Sequence, residues 1–71
     1  MSNADKIDLI LKKRNMTYTE LASRLGMSKQ NLYKKLKKRK AIPEDELRQI
    51  AELLNCTYES TFTLNDTGEQ I

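Results

Sequence analysis

The chain has 71 residues, 38% of them hydrophobic and 32% charged, with a net charge of +3. That length holds one small domain whose own core supplies limited stability, and the leucine content is too high for a disordered chain. Histidine is absent and Cys56 is the lone cysteine, which excludes an internal disulfide, a Cys/His zinc site and a His-dependent catalytic triad, so no metal and no cofactor are expected.

A single thiol fits a reducing compartment, no apolar run reaches membrane length, and the N-terminus lacks a secretory hydrophobic segment. The expectation is a cytoplasmic protein with no membrane partner. Charge is divided along the chain. Residues 1–42 carry twelve Lys/Arg against Asp5, Asp8 and Glu20, whereas residues 43–71 carry Arg48 alone against seven acids. The positive half would face a polyanion.

In chain order, ADKIDLILKKR (4–14) places Ile7, Ile10, Leu11 and Arg14 at i, i+3, i+4 and i+7, the spacing of one helix face, with the aliphatic stem of Arg14 extending the stripe. Ser2 or Asn3 can cap this helix, acids lead, Lys12, Lys13 and Arg14 trail as the dipole prefers, and Asn15 ends it. Thr17 and Glu20 then spell a capping box, and Met16 and Leu21 a hydrophobic staple across it. Leu21, Ala22 and Leu25 form the buried stripe of the second helix, which Gly26 stops by accepting a left-handed backbone.

The pattern repeats at once. Ser28 caps, Met27 staples against Leu32, and Leu32 with Leu36 turn inward in a third helix over about 29–37. Two capped helices separated by Gly26-Met27-Ser28 must turn sharply, which is helix-turn-helix geometry at about 17–37. Pro43 suits a first helical position, followed by Glu44-Asp45-Glu46 and the stripe Leu47, Ile50, Ala51 and Leu54 of a fourth helix. Beyond it, Tyr58, Ser60, Phe62 and Leu64 alternate with Glu59, Thr61, Thr63 and Asn65, the period of one short strand. One strand cannot stand alone. Tyr58, Phe62 and Leu64 are therefore expected either to lie on the helices or to form a dimerisation strand with a second copy, with 66–71 a frayed polar end. The expected division is a helical domain over 1–56 and a strand with tail over 57–71.

NMTYTELASRLGMSKQNLYKKL, residues 15–36, resembles the helix-turn-helix of the phage-repressor and Cro-like group, the XRE family. The match rests on Thr17, Leu21-Ala22, Leu25-Gly26, Ser28 and Leu32, and with the flanking helices it covers about residues 5–55. The resemblance implies an all-α fold of four to five helices, lambda-repressor-like, here with a short C-terminal β-strand. It also implies double-stranded DNA as partner, with the third helix in the major groove. By position, Lys29, Gln30 and Lys34 are the base-contacting candidates. Tyr18 stands where many members carry a glutamine that touches a phosphate and braces the first recognition residue, and tyrosine can still donate to a phosphate. Lys37-Lys38-Arg39-Lys40 replace a common Glu-x-Gly, giving a more basic loop.

The helical wheel points the same way without the family. At roughly 100° per residue, Gln30 and Lys34 point away from Leu32 and Leu36, flanked by Asn31 and Lys37. Lysine suits guanine and glutamine suits adenine. Asn31, Lys37, Lys38, Arg39 and Lys40 are expected at phosphates with Tyr18, and Lys35, Arg14 and Arg24 add to affinity and its salt dependence. For Tyr33, packing and phosphate contact both stay open.

The expected function is sequence-specific transcriptional regulation, most readily repression in a bacterial or phage setting, by a homodimer on a palindromic operator. A protein-interaction or antitoxin-like module on the same fold is the alternative, and it would tolerate changes at Lys29, Gln30 and Lys34. RNA binding would need an exposed aromatic platform, but Tyr18, Tyr33, Tyr58 and Phe62 are scattered. Catalysis and small-molecule binding find no support: Asp66-Thr67-Gly68 matches an aspartic-protease tripeptide but stands in a polar tail without a second copy. Cys56 reads as a small packed hydrophobe.

Overall fold

The computed structural model describes residues 2–37 and 42–71. Four helices, α1 (Asn3–Lys13), α2 (Tyr18–Arg24), α3 (Lys29–Lys37) and α4 (Glu44–Leu53), precede two strands, β1 (Cys56–Glu59) and β2 (Thr61–Leu64). Each of the first three helices begins on a hydroxyl cap. The Ser2, Thr17 and Ser28 oxygens accept from the N–H of Asp5, Glu20 and Asn31 at 3.1, 3.1 and 3.2 Å, satisfying donors that a helix start leaves open. The reciprocal capping box closes at α1, where Asp5 also accepts from the Ser2 N–H, and not at α2. There Glu20 takes the Thr17 hydroxyl at 3.5 Å instead.

Turns fall where the backbone must go left-handed. Gly26 ends α2 at φ 73°, while Asn15 and Asn55, after α1 and α4, adopt φ 54° and 55°. Asparagine tolerates this region better than most residues. Pro43 sits one position earlier than expected, as the N-cap of α4, with Glu44 the first helical residue.

The C-terminal segment departs from the expectation most. In place of one strand there is a hairpin: β1 and β2 run antiparallel, pairing Thr57 with Thr63 and Tyr58 with Phe62, around Ser60 at φ 66°. The break at the alternation's midpoint is invisible to a period-two pattern, because Ser60 keeps the alternation while reversing the chain. Residues 66–71 are not frayed. They fold back along the far edge of β2, where Ile71 N–H donates to Phe62 O at 2.9 Å and Leu64 N–H to Glu69 O at 2.9 Å.

Of the two arrangements expected for Tyr58, Phe62 and Leu64, the segment takes the first and lies on the helices of its own chain. Phe62 is fully buried and Leu64 nearly so within the chain's own core, and both edges of β2 are occupied by the same chain. Tyr58 is half-buried and packs on the Phe62 ring at 4.8 Å. The core is one cluster: Ile7, Ile10 and Leu11 of α1, Leu21 and Ala22 of α2, Leu32 and Leu36 of α3, Leu47, Ile50 and Ala51 of α4, with Leu54, Cys56, Phe62 and Leu64. The hairpin thus completes the hydrophobic centre that the helices start.

Arg14 fastens the two parts. Instead of merely extending the α1 stripe, its guanidinium donates to the carbonyls of Leu54 and Asn55 at 2.9 and 3.1 Å and grips both Asp66 oxygens at 2.7 Å. It satisfies carbonyls that the end of α4 leaves open, and a two-pronged guanidinium–carboxylate pair is the geometry arginine favours.

Candidate nucleic-acid interface

α2 and α3 cross at the Gly26 turn, and their apolar sides are used up inward. Leu21, Ala22, Leu32 and Leu36 are buried, while Leu25 and Met27 pack partly against them. What remains of α3 is a polar outer surface. Lys29, Gln30, Asn31, Lys34 and Lys37 are all exposed, and at about 1.5 Å rise per residue the nine residues make a rod of roughly 14 Å.

Tertiary packing sorts the basic residues. Lys35, on the α4 side of α3, is tied to Glu46 at 2.7 Å. Lys13 pairs with Glu69 at 3.2 Å, Arg14 with Asp66, and Lys12 with Asp8 at 3.1 Å. The Asp66 hydrogen bonds raise the Arg14 proton affinity further above its already high value. Arg14 and Lys35, expected to add to affinity and its salt dependence, are thus engaged within the chain. By contrast, Lys29, Lys34, Lys37 and Arg24 make no ion pair among the described residues. Lys38, Arg39 and Lys40, the expected phosphate clamp, lie outside the described residues.

Tyr18 is committed inward. Its hydroxyl donates to Asp8 Oδ1 at 2.8 Å, and its ring lies 4.8 Å from that of Tyr33. Burial, then the Asp8 bond, pushes the Tyr18 hydroxyl up, so it remains a donor, while the same bond and Lys12 hold the Asp8 carboxyl below its usual range. A phosphate contact by Tyr18 would have to compete with a carboxylate already in place. Tyr33, the one large hydrophobic residue exposed among the described residues, carries the Lys29 ammonium 5.9 Å from its ring centre. Lys29, Tyr18 and Tyr33, together with Asp8, Lys12 and Met16, line a shallow depression of about 310 Å³ between the starts of α2 and α3.

Of the residues singled out in sequence, the fold brings Lys29, Gln30, Asn31, Lys34 and Lys37 onto one element and draws Tyr18 against α1. Asp8 escaped notice. Its i, i+4 spacing to Lys12 was readable, but its contact with Tyr18 crosses two helices and has no local signal. Burial raises the Cys56 thiol, which donates to Leu54 O at 3.4 Å, in keeping with a packed side chain.

A family model described as a Cro/C1-type HTH DNA-binding domain matches residues 6–66. No curated protein and no solved structure matches the chain significantly.

Proposed function

Since the chain belongs to the Cro/C1-type helix-turn-helix DNA-binding family, we propose that it regulates transcription by reading the major groove of a specific operator with α3. The observation that carries this reading is the sorting of charge. Lys35 of α3 and Lys13 and Arg14 at the end of α1 are paired off by acids of the second half, whereas Lys29, Lys34 and Lys37 on α3 are left exposed and without an ionic partner among the described residues. In this reading Lys29 and Lys34 donate to guanine O6/N7 and Gln30 makes paired hydrogen bonds with adenine N6/N7. Asn31 and Lys37 contact phosphates, with Lys38, Arg39 and Lys40 following in the chain, and these set affinity and register.

Repression needs nothing beyond occupancy of the operator, so it is the mode proposed. The expected setting is the cytosol and nucleoid of a bacterium. No described helix is long and apolar enough to cross a membrane. The molecule extends 31 Å along its longest axis, short of the roughly 34 Å between successive major-groove faces on one side of a duplex. Two copies on an inverted repeat would supply the second half-site, joined by a surface other than Phe62 and Leu64. The acidic half offers less to a protein partner than composition suggested, because Glu46, Asp66 and Glu69 are already bonded to lysine or arginine of the same chain.

Selection of random double-stranded oligonucleotides with the purified full chain tests the proposal. Enrichment of a short motif, arranged as an inverted repeat, is expected. Recovery of unenriched sequence at every round would overturn sequence-specific reading.

A further inference from the structure

The depression of about 310 Å³ between the starts of α2 and α3 has a floor and a rim of different chemistry. The floor is apolar and aromatic. Leu11 is buried, Met16 and Tyr18 are half-buried, and the Tyr18 ring lies 4.8 Å from that of Tyr33. Tyr33 keeps 37% of its surface exposed, so part of a flat π-surface faces water. The rim is cationic. Lys29 has no ionic partner among the described residues, and its ammonium lies 5.9 Å from the Tyr33 ring centre. Lys12 borders the depression from α1, and its pair with Asp8 at 3.1 Å is exposed to solvent. An ion pair of that kind contributes little and yields readily to another anion. The Thr19 hydroxyl adds a group that can donate or accept. Three separate helices supply these groups, so no local motif in the sequence announces them.

We propose that this depression binds a planar aromatic anion, a one- or two-ring compound carrying a phosphate or a carboxylate, and that its occupation releases the operator. Aromatic side chains stack flat rings, and two ammonium groups at the rim meet the negative charge. An uncharged ring would leave both lysines unmatched. A charged ligand without a ring would leave the tyrosine and methionine surface wet. The volume stands at the lower end of the range for small-ligand pockets, about 300–1,000 Å³, which limits the occupant to about the size of a nucleoside monophosphate. Release follows because Lys29 cannot serve the ligand and a base edge together. That second step rests on the reading of α3 as the recognition helix, whereas binding to the free chain does not. By linkage, a ligand that binds only free protein weakens apparent operator affinity about eleven-fold when present at ten times its own dissociation constant.

The first test is a nuclear magnetic resonance titration of the isotope-labelled full chain without DNA. AMP represents the nucleotide arm and indole-3-carboxylate the aromatic-acid arm, with adenosine and ribose 5-phosphate as half-ligand controls. Saturable shifts confined to the ends of α1, α2 and α3 that face the depression are expected for at least one arm. A dissociation constant of about 0.1–1 mM is the range for a small ligand in an open site. The controls should bind about ten-fold more weakly or not at all. Tyr33→Leu and Lys12→Gln should each weaken binding by about three- to ten-fold, the loss of one exposed ring or charge contact. Operator binding by Lys12→Gln without ligand should stay within about two-fold of the parent, because Lys12 is outside the proposed DNA contacts, while its release by ligand needs more of it.

Absence of saturable binding by both AMP and indole-3-carboxylate at about 10 mM, well beyond the expected range, would overturn the proposal. Equal affinity for AMP and ribose 5-phosphate, with none for indole-3-carboxylate, would overturn it too, by showing a cluster of lysines that collects anions only. Saturation of the depression with no change in operator affinity would overturn release. If Lys29→Ala, Gln30→Ala and Lys34→Ala all leave operator discrimination intact, the reading of α3 falls and release falls with it, whereas the titration of the free chain still decides binding. A Tyr33→Leu chain that fails to melt cooperatively by circular dichroism moves the decision to Lys12→Gln, for which unaltered ligand affinity would overturn the assigned site.

Discussion

Lys34 and Lys37 stand three residues apart on α3, both exposed, yet the proposed interface gives them different work. Lys34 lies opposite the Leu32–Leu36 stripe, where a base edge would be, and Lys37 closes the helix at its flank, where a phosphate would be. Lys34→Ala should relax preference at one base pair, costing about 1–3 kcal/mol of discrimination there. Lys37→Ala should weaken every sequence alike and lower the salt slope by about one. Titrations against an operator panel at several salt concentrations separate the two outcomes, and identical sequence-blind losses would show the reading face to be misassigned. Asp66 answers a different question, that of stability. The hydrogen bonds from Arg14 hold its carboxyl down to about 2, whereas in an unfolded chain it titrates near about 3.9. A group depressed on folding stabilises the fold fully above its unfolded value and loses that contribution as pH falls through its folded value. Asp66→Asn should therefore melt below the parent chain at neutral pH, with the gap closing between about pH 4 and pH 2. A gap that persists unchanged at pH 2 would show that the charge of Asp66 is not what matters.

Among elements, the α2–turn–α3 unit was the most legible, because every feature that builds it is local. Thr17 and Ser28 cap, Met16 and Met27 just before them pack against the core, and Gly26 turns the chain, all within five residues of the positions they affect. A Cβ at Gly26 would meet nothing within 4 Å, so Gly26→Ala carries no clash and its effect comes from the φ of 73° alone. Left-handed backbone costs a non-glycine residue about 1–2 kcal/mol, and a urea melt should show that loss. Ser28→Ala should cost about 1 kcal/mol through the lost cap on α3. The hairpin was misread for the complementary reason. Its composition and period were plain from Tyr58 to Leu64, but one residue, Ser60, reverses the chain without breaking the alternation, and serine is an uncommon occupant of positive φ. The final six residues read as free because they are polar, although their backbone groups and not their side chains do most of the pairing along β2.

For the molecule as a whole, the hairpin shares one hydrophobic core with the helix-turn-helix. Phe62 is fully buried and Leu64 and Cys56 nearly so, in the same cluster as Ile7, Ile10 and Leu32. Phe62→Ala should cost about 3–5 kcal/mol, a large share of the roughly 5 kcal/mol that a domain this small can hold. A chain ending at residue 56 should lose cooperative melting and operator binding together. Retention of both would mean that the helices suffice alone. Alternating hydrophobicity, caps and turn residues were enough to establish four helices, their boundaries within a residue or so, the sharp turn and the outward set on α3, because those depend on neighbours a few positions away in the chain. Which cations stay free was beyond the sequence. Lys35, Lys13 and Arg14 meet Glu46, Glu69 and Asp66 across 11 to 56 residues, and Tyr18 finds Asp8 on another helix. A charge tally cannot distinguish a cation bound to its own chain from one left for DNA, since that difference is a matter of distance, and distance between remote residues exists only once the chain has packed.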